Sequence, residues 1–206
     1  MKITRNHLAI VSLLASGTLA HGAIVFSQID LVNNTITLTN TGASAVDLGG
    51  WRFCSHDIDS VRVYSSSSQF NGISILSNES YVVDTTDIPF AGLLGGNTLS
   101  VGLYNDLDGS LSFGSANDLS AFIQFAPEGT TEVGNAEFRT HTAVEAGLWD
   151  ANGSFVQVGA DDTLIQLNDL NSSIGSTSFS AIPEPSAALL AGFAGLLALG
   201  HRRRPA

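Results

Sequence analysis

The chain has 206 residues, a net charge of −11 at neutral pH and a single cysteine. One cysteine excludes an internal disulfide and any metal or iron–sulfur site built from several cysteines. Residues 23–181 hold three cations, all arginine, against eighteen carboxylates, a net charge near −15. Such a surface repels nucleic acid and anionic lipid. It also repels acidic polysaccharide unless divalent cations bridge the two.

The N-terminal segment has the parts of a secretory signal peptide. Lys2 and Arg5 supply positive charge, residues 8–15 form an apolar stretch, and small residues follow. We expect cleavage after Gly22, with Ala20 and Ala23 as alternative cleavage points. Without residues 1–22 and a C-terminal signal described below, about 160 residues remain, the size of one ordinary domain.

The next part of the chain predicts β-strands, because apolar and polar residues alternate in short runs. Thr35-Ile36-Thr37-Leu38-Thr39 alternates fully and ends at the turn signal Asn40-Thr41-Gly42. Gly49-Gly50 marks a bulge or a sharp bend. The residues expected to face the core around it are Val46, Leu48, Trp51 and Phe53.

Further strands are predicted at residues 61–64, 73–75, 81–83, 99–104, 111–113, 121–125 and 155–158. Asp106-Leu107-Asp108-Gly109 is expected to form a hairpin turn, and one short helix is expected near residues 142–148. Strands about ten residues apart with turn signals between them indicate an all-β sandwich. We assign residues 23–170 to this domain and the Ser-rich, uncharged residues 171–181 to a linker.

Two adjoining segments resemble the opening of a lamin-tail domain. Its pattern is a strand with Asn-x-Gly, followed by Asp-Leu-x-Gly-Trp, and the chain has residues 36–42 and then Val46-Asp47-Leu48-Gly49-Gly50-Trp51-Arg52-Phe53. Residues 75–83 and 103–109 resemble its later hairpins, so the resemblance covers residues 24–126, and residues 126–167 depart from it. It implies an immunoglobulin-like sandwich whose tryptophan fills the core. The family serves mostly as an interaction or scaffolding module, with no catalytic residues.

The C-terminal segment combines a rigid turn, an apolar run and a cationic end. Pro183 and Pro185 fix φ and lack N–H donors, so a helix cannot continue back through them. Residues 187–200 would span about 21 Å as a helix, which is short against about 30 Å of hydrocarbon. Arg202-Arg203-Arg204 favours the cytoplasmic side of the membrane, so the domain is expected on the opposite side of the membrane.

Together these features resemble the PEP-CTERM sorting domain of Gram-negative bacteria, and we assign residues 182–206 to such a signal. The resemblance implies that Pro183, Glu184 and Pro185 are recognised by an exosortase during transient membrane insertion. The protein is then released to, or attached at, the cell surface, commonly in connection with exopolysaccharide. Expected partners are the Sec-type export machinery and the exosortase, with exopolysaccharide or surface proteins as further candidates.

Other candidate sites have simpler structural explanations. Asp106-Leu107-Asp108-Gly109 lacks the calcium ligands that an EF-hand loop needs, so a turn is favoured. His56-Asp57-Ile58-Asp59 lacks the spacing that directs ligands at one metal ion. Trp51 and Trp149 can stack on sugar rings but are expected as core anchors. Cys54 is expected to be buried as a small apolar residue rather than paired with a second molecule.

The sequence contains no Gly-x-Ser-x-Gly elbow and no His-Glu-x-x-His helix. Composition leaves a Ser/His/Asp triad open, since serine and aspartate are abundant and His141 is present, and it does not single out a pair of carboxylates for glycoside cleavage. No spacing indicates either arrangement. We therefore expect no catalytic activity and no cofactor. The prediction is an exported surface or extracellular-matrix protein that serves as a structural or interaction module. The alternative is a carbohydrate-binding module that holds exopolysaccharide through exposed aromatic residues or calcium.

Overall fold

The computed structural model describes residues 24–59, 61–106, 109–170 and 175–184. Within them the protein is all-β, as predicted, with two five-stranded sheets, one two-stranded sheet and short helical segments. Every helix in these ranges falls short of the length and apolar character that crossing a bilayer requires. The expected signal peptide at 1–22 and the expected apolar helix at 187–200 lie outside the described residues.

In chain order the strands are β1 (Ile24–Asp30), β2 (Thr35–Asn40), β3 (Val46–Asp47), β4 (Arg52–Asp57), β5 (Arg62–Tyr64), β6 (Ser74–Ile75), β7 (Ser80–Asp84), β8 (Leu99–Tyr104), β9 (Leu119–Pro127), β10 (Val156–Val158), β11 (Asp162–Leu167) and β12 (Phe179–Pro183). The first sheet has the order β12-β11-β1-β2-β7, and all its strand pairs are antiparallel. The second has the order β10-β9-β8-β4-β5, in which the pair β10 and β9 is parallel. Strands β3 and β6 form the small sheet.

The main core lies between the two large sheets. Side chains on a strand alternate between its faces, so one set from each sheet points inward. The rings of Phe26 on β1 and Phe53 on β4 stack with their centroids 6.1 Å apart, which joins the sheets. Other fully buried members are Ile29, Ile36, Leu38, Val101, Leu103, Ile123 and Ile165.

The outer face of the second sheet is covered as well. A 3₁₀ segment, Gly134–Arg139, leads into the helix α1, Thr140–Glu145, and this pair contacts β4, β8 and β9. Trp149 follows α1 and packs on Phe122 of β9, with ring centroids 5.3 Å apart. Because the sheet is buried on both faces, β8 is buried at all six residues and β9 at all but its last. Full burial of a strand removes the usual alternation.

The Asn40-Thr41-Gly42 turn is built on a buried amide. The Asn40 side chain donates to the carbonyls of Ser44 at 2.8 Å and Ile75 at 2.9 Å, and its oxygen accepts the N–H of Gly42 at 2.9 Å. Asn40 therefore ties the loop after β2 to β6. The predicted bend at Gly49-Gly50 is also present, because the Leu48 carbonyl accepts the N–H of Trp51 at 3.0 Å and Gly50 has φ +81°. A turn of this kind favours glycine at its third position.

Three parts of the prediction were wrong or incomplete. Residues 111–113 form no strand, and β8 pairs with β9 instead, because Phe113 packs its ring on Tyr64 and Tyr104 rather than entering a ladder. Strand β11 was not predicted, although Ile165 and Leu167 are buried. The segment 171–181, expected as a linker, ends in β12, which pairs with β11 from Phe179 to Pro183. The folded sheet thus reaches the start of the predicted sorting signal.

Candidate functional site

The first two residues of the Pro183-Glu184-Pro185 motif lie at the edge of the first sheet. Pro183 is the last residue of β12 and pairs with Asp162 of β11. The N–H of Glu184 donates to the carbonyl of Asp161 at 3.1 Å, and Pro183 and Glu184 are both exposed. Pro185 and Arg202, Arg203 and Arg204 lie outside the described residues. The motif thus begins where the last described strand ends.

A second candidate site lies on the outer face of the second sheet, beside β5. We call it the arginine cluster, and it consists of Arg52, Arg62, Tyr64, Phe113 and Arg139. Strands β4 and β5 pair Cys54 with Tyr64 and His56 with Arg62. Paired residues, and residues two apart on one strand, share a face. Arg52, Arg62 and Tyr64 therefore lie on the same side of the sheet. Phe113 from the loop after β8 and Arg139 from the 3₁₀ segment complete the cluster.

The cluster is held together by stacked rings and guanidinium groups. The rings of Tyr64 and Phe113 pack with their centroids 4.3 Å apart. The guanidinium carbon of Arg52 lies 5.0 Å from the centre of the Phe113 ring, and that of Arg62 lies 5.9 Å from the centre of the Tyr64 ring. Arg139 Nη2 donates to the Tyr64 hydroxyl at 3.4 Å. Both rings thus carry a cation, an arrangement stabilised by the negative charge of the ring faces.

The cluster contains every cation of residues 23–181, since Arg52, Arg62 and Arg139 are the three arginines there and lysine is absent. Arg62 is exposed, and the other two arginines are half-buried. A domain with a strongly negative net charge therefore has one region where positive charge is concentrated. Planar guanidinium groups stacked on rings can present their N–H edges to a carboxylate or a phosphate.

Beneath the cluster lie Cys54 and His56, both on β4 and both buried. Burial raises the pKa of the Cys54 thiol to about 11, although Arg139, Arg62 and Arg52 act against this shift. Burial also lowers the pKa of His56 to about 4, and Arg139 and Arg62 lower it further. A thiol nucleophile needs a lowered pKa, and a general base needs a pKa near the working pH. The raised pKa of Cys54 and the lowered pKa of His56 therefore disfavour a nucleophilic role for the thiol and a general-base role for the imidazole.

Two buried hydroxyl groups near the cluster, those of Thr140 and Tyr104, differ in their hydrogen bonding. The Thr140 hydroxyl donates to the side-chain oxygen of Gln124, which fixes α1 on β9. The Tyr104 hydroxyl is buried and has no hydrogen-bond partner among the described residues, and burial raises its pKa. Both residues are fully shielded from solvent.

The remaining sequence candidates are not brought together. Asp57 uses its carboxylate to accept the N–H groups of Asp59 at 3.1 Å and Val61 at 2.8 Å, whereas His56 is buried under the covering layer. Within the described ranges, no group of three His, Cys, Asp or Glu side chains is arranged to hold a metal ion. Leu107 and Asp108 of the calcium candidate lie outside those ranges.

The aromatic candidates differ in burial. Trp149 is 2% exposed and donates its indole N–H to the Ser154 carbonyl at 2.9 Å, so it is a core anchor as predicted. Trp51 is only half-buried, because it follows the Gly49-Gly50 bend at the border of the core. Cys54 is buried, which confirms that prediction. His141 is exposed, and its Nε2 lies 3.3 Å from the neighbouring Thr142 hydroxyl.

A cleft of about 610 Å³ opens at one end of the sandwich, between the turn after β1 and the loops after β9 and β10. It is lined by apolar side chains, glycines, Asn97, Glu128, Asp162 and Thr163. The lining contains two carboxylates and no cation, so an anion is disfavoured there.

Sequence reasoning missed the arginine cluster because the three arginines were counted only as charge. The signal that was present is Arg62-Val63-Tyr64, in which a cation and an aromatic ring share one strand face. Family models give no match to this chain, and a search of curated proteins also finds none.

Proposed function

We propose that the chain is an exported, non-catalytic protein of the cell surface or extracellular matrix, sorted by an exosortase through residues 182–206. One observation carries this proposal. The Pro-Glu-Pro motif begins at an exposed sheet edge, where Pro183 closes β12 and Glu184 follows in solvent. A processing enzyme can reach such a position without entering the domain. In this proposal residues 187–200 form an apolar helix that is held in the membrane before processing.

The folded part serves as a structural or interaction module in this proposal, with the immunoglobulin-like arrangement of a lamin-tail domain. Two features support the likeness. The Asn-x-Gly asparagine is buried and fastens a loop to β6, and the glycines before Trp51 form a tight turn. Both motifs therefore act on the fold rather than on a ligand. The burial of Cys54 and His56 in neutral form supports a non-catalytic domain.

The test is to determine both termini of the mature protein by mass spectrometry in a bacterium that has an exosortase. We expect loss of about the first 22 residues, as for a signal peptide, and loss of the apolar C-terminal segment. Removal of Arg202, Arg203 and Arg204 should leave an unprocessed, membrane-associated form. Glu184→Gln should slow processing, whereas Asp87→Asn, which also removes one exposed carboxylate, should not. An intact chain dissolved in the cytosol contradicts the proposal.

The second candidate function is a carbohydrate-binding module. Trp149 is buried, so it is not available for sugar stacking. The arginine cluster offers a different mode of recognition, through charge.

A further inference from the structure

We propose that the arginine cluster binds the carboxylate groups of an acidic polysaccharide. The inference rests on the proposed function, because an exported protein meets such polymers outside the cell. It differs from the carbohydrate mode predicted from the sequence, which relied on exposed aromatic residues or calcium. Here the aromatic rings orient the cations, and the guanidinium groups make the contact.

The first argument is preorganisation of the donors. Arg52 donates from Nε to the Ser65 carbonyl at 2.7 Å, and its guanidinium group lies over Phe113. These two contacts fix the guanidinium plane, and neither of them uses a terminal nitrogen as a hydrogen-bond donor. Arg62 is exposed above Tyr64 on the neighbouring strand. A carboxylate bound by such groups gains charge-assisted hydrogen bonds with little additional loss of side-chain freedom.

The second argument is electrostatic. All three cations of a domain near −15 lie in this one cluster. An anionic polymer is repelled by the rest of the surface, so the cluster defines where it can bind. Long-range repulsion is screened within about 10 Å at 0.1 M salt, whereas direct pairs with a guanidinium group persist. Bridging divalent cations are then not required for contact.

The third argument concerns the kind of anion. Exposed serines adjoin members of the cluster in the chain: Ser66 follows Ser65, whose carbonyl accepts the Arg52 Nε–H, and Ser112 precedes Phe113. Ser66 and Ser68 lie with their Oγ atoms 2.9 Å apart. A uronic acid polymer carries carboxylates and hydroxyls on every sugar, which matches arginines bordered by serines. The faces of Tyr64 and Phe113 are occupied by each other and by arginines, so ring stacking on a sugar is disfavoured.

The test measures binding of polygalacturonate to the full chain in an uncharged detergent by titration calorimetry, with EDTA present. We expect binding, and Arg62→Gln should weaken it by about tenfold or more, since a charge-assisted hydrogen bond is lost. Arg62 is exposed, so this variant should fold. The matched control is Gln166→Glu on the other sheet, which changes the net charge by the same amount and is exposed. It should leave the affinity unchanged.

Several results would overturn the proposal. These are absence of binding, binding only when calcium replaces EDTA, and equal weakening by Gln166→Glu and Arg62→Gln. Methyl-esterified polygalacturonate should not bind, because its carboxylates are neutral, and binding of it would exclude charge recognition. Tighter binding of polyphosphate than of polygalacturonate would assign the cluster to phosphate. None of these outcomes affects the mapping of the mature termini, so the export proposal is tested separately.

Discussion

Lowering the pH from 7 to 5 should destabilise the fold through one residue, His56. It is 2% exposed, and burial together with Arg139 and Arg62 lowers its pKa from 6.5 to about 4, while Asp57 acts in the opposite direction. In the unfolded chain the imidazole regains its ordinary pKa and binds a proton below about pH 6.5. The unfolded state then binds more protons than the folded state, so stability falls as the pH decreases from about 6.5 to 4.

The size of the effect follows from the difference between the two pKa values. Complete titration corresponds to about 3 kcal/mol, and at pH 5 the loss is about 2 kcal/mol. Hydrogen bonds lower the pKa of three carboxyl groups, those of Asp30, Asp84 and Asp150. The stability that they contribute is present above the unfolded pKa and is lost only below about pH 4. Their titration therefore lies outside this window.

The assay is urea unfolding followed by tryptophan fluorescence at pH 7, 6 and 5 and constant ionic strength. His56→Gln removes the titrating group and should flatten the pH dependence between 7 and 5, even if its stability at pH 7 is lower. The readout is the difference in slope between the two proteins. If both lose the same free energy of unfolding from pH 7 to 5, burial of a neutral imidazole at this position is refuted.

Three further predictions concern single buried groups. Cys54 should react with a thiol reagent at pH 8 at least about a hundredfold more slowly in the folded than in the urea-unfolded chain. Its pKa is raised in the folded protein, and the reagent reaches it only after local unfolding. Equal rates in the two states would contradict its burial. Gly102→Ala should lower the free energy of unfolding by about 1–3 kcal/mol, since the new Cβ would lie 2.6 Å from the Tyr104 ring. Urea unfolding measures this loss. A change below about 0.5 kcal/mol would mean that the ring moves to make room for the methyl group. Asn40→Ala should cost about 2–4 kcal/mol in the same assay through its buried hydrogen bonds, whereas the exposed Asn71→Ala should be nearly neutral.

The sequence predicted the strands whose signals are local. Residues 35–39 alternate fully and form β2, and Asn40 and Gly42 mark its end. The glycine bend before Trp51 was predicted because glycine readily adopts a positive φ and weakens a strand, so two adjacent glycines favour a bend or a bulge. Strand β8 was also predicted, although both its faces are buried.

Long-range pairing explains what was missed. Strand β11 begins with Asp162 directly after Asp161, and such an acidic pair is typical of a loop, whereas β12 follows a Ser-rich segment. Strand β11 forms by pairing with β1, which is distant in sequence, and β12 forms by pairing with β11, which was itself not predicted. Arg62-Val63-Tyr64 is a local signal for part of the arginine cluster, but the contribution of Arg139 could not be predicted, for the same reason. Arg139 reaches Tyr64 only because the segment before α1 folds over the outer face of the second sheet.

The position of β11 has a consequence for synthesis. Its hydrogen-bonding partner β1 is the first described strand, and Ile29 of β1 pairs with Ile165. A growing polypeptide therefore exposes one edge of β1, with its apolar side chains, until nearly all of the domain has been made. Such late closure slows folding and lengthens the time in which the nascent chain is open to aggregation. A holding chaperone that covers residues 24–30 during translation would shorten that exposure.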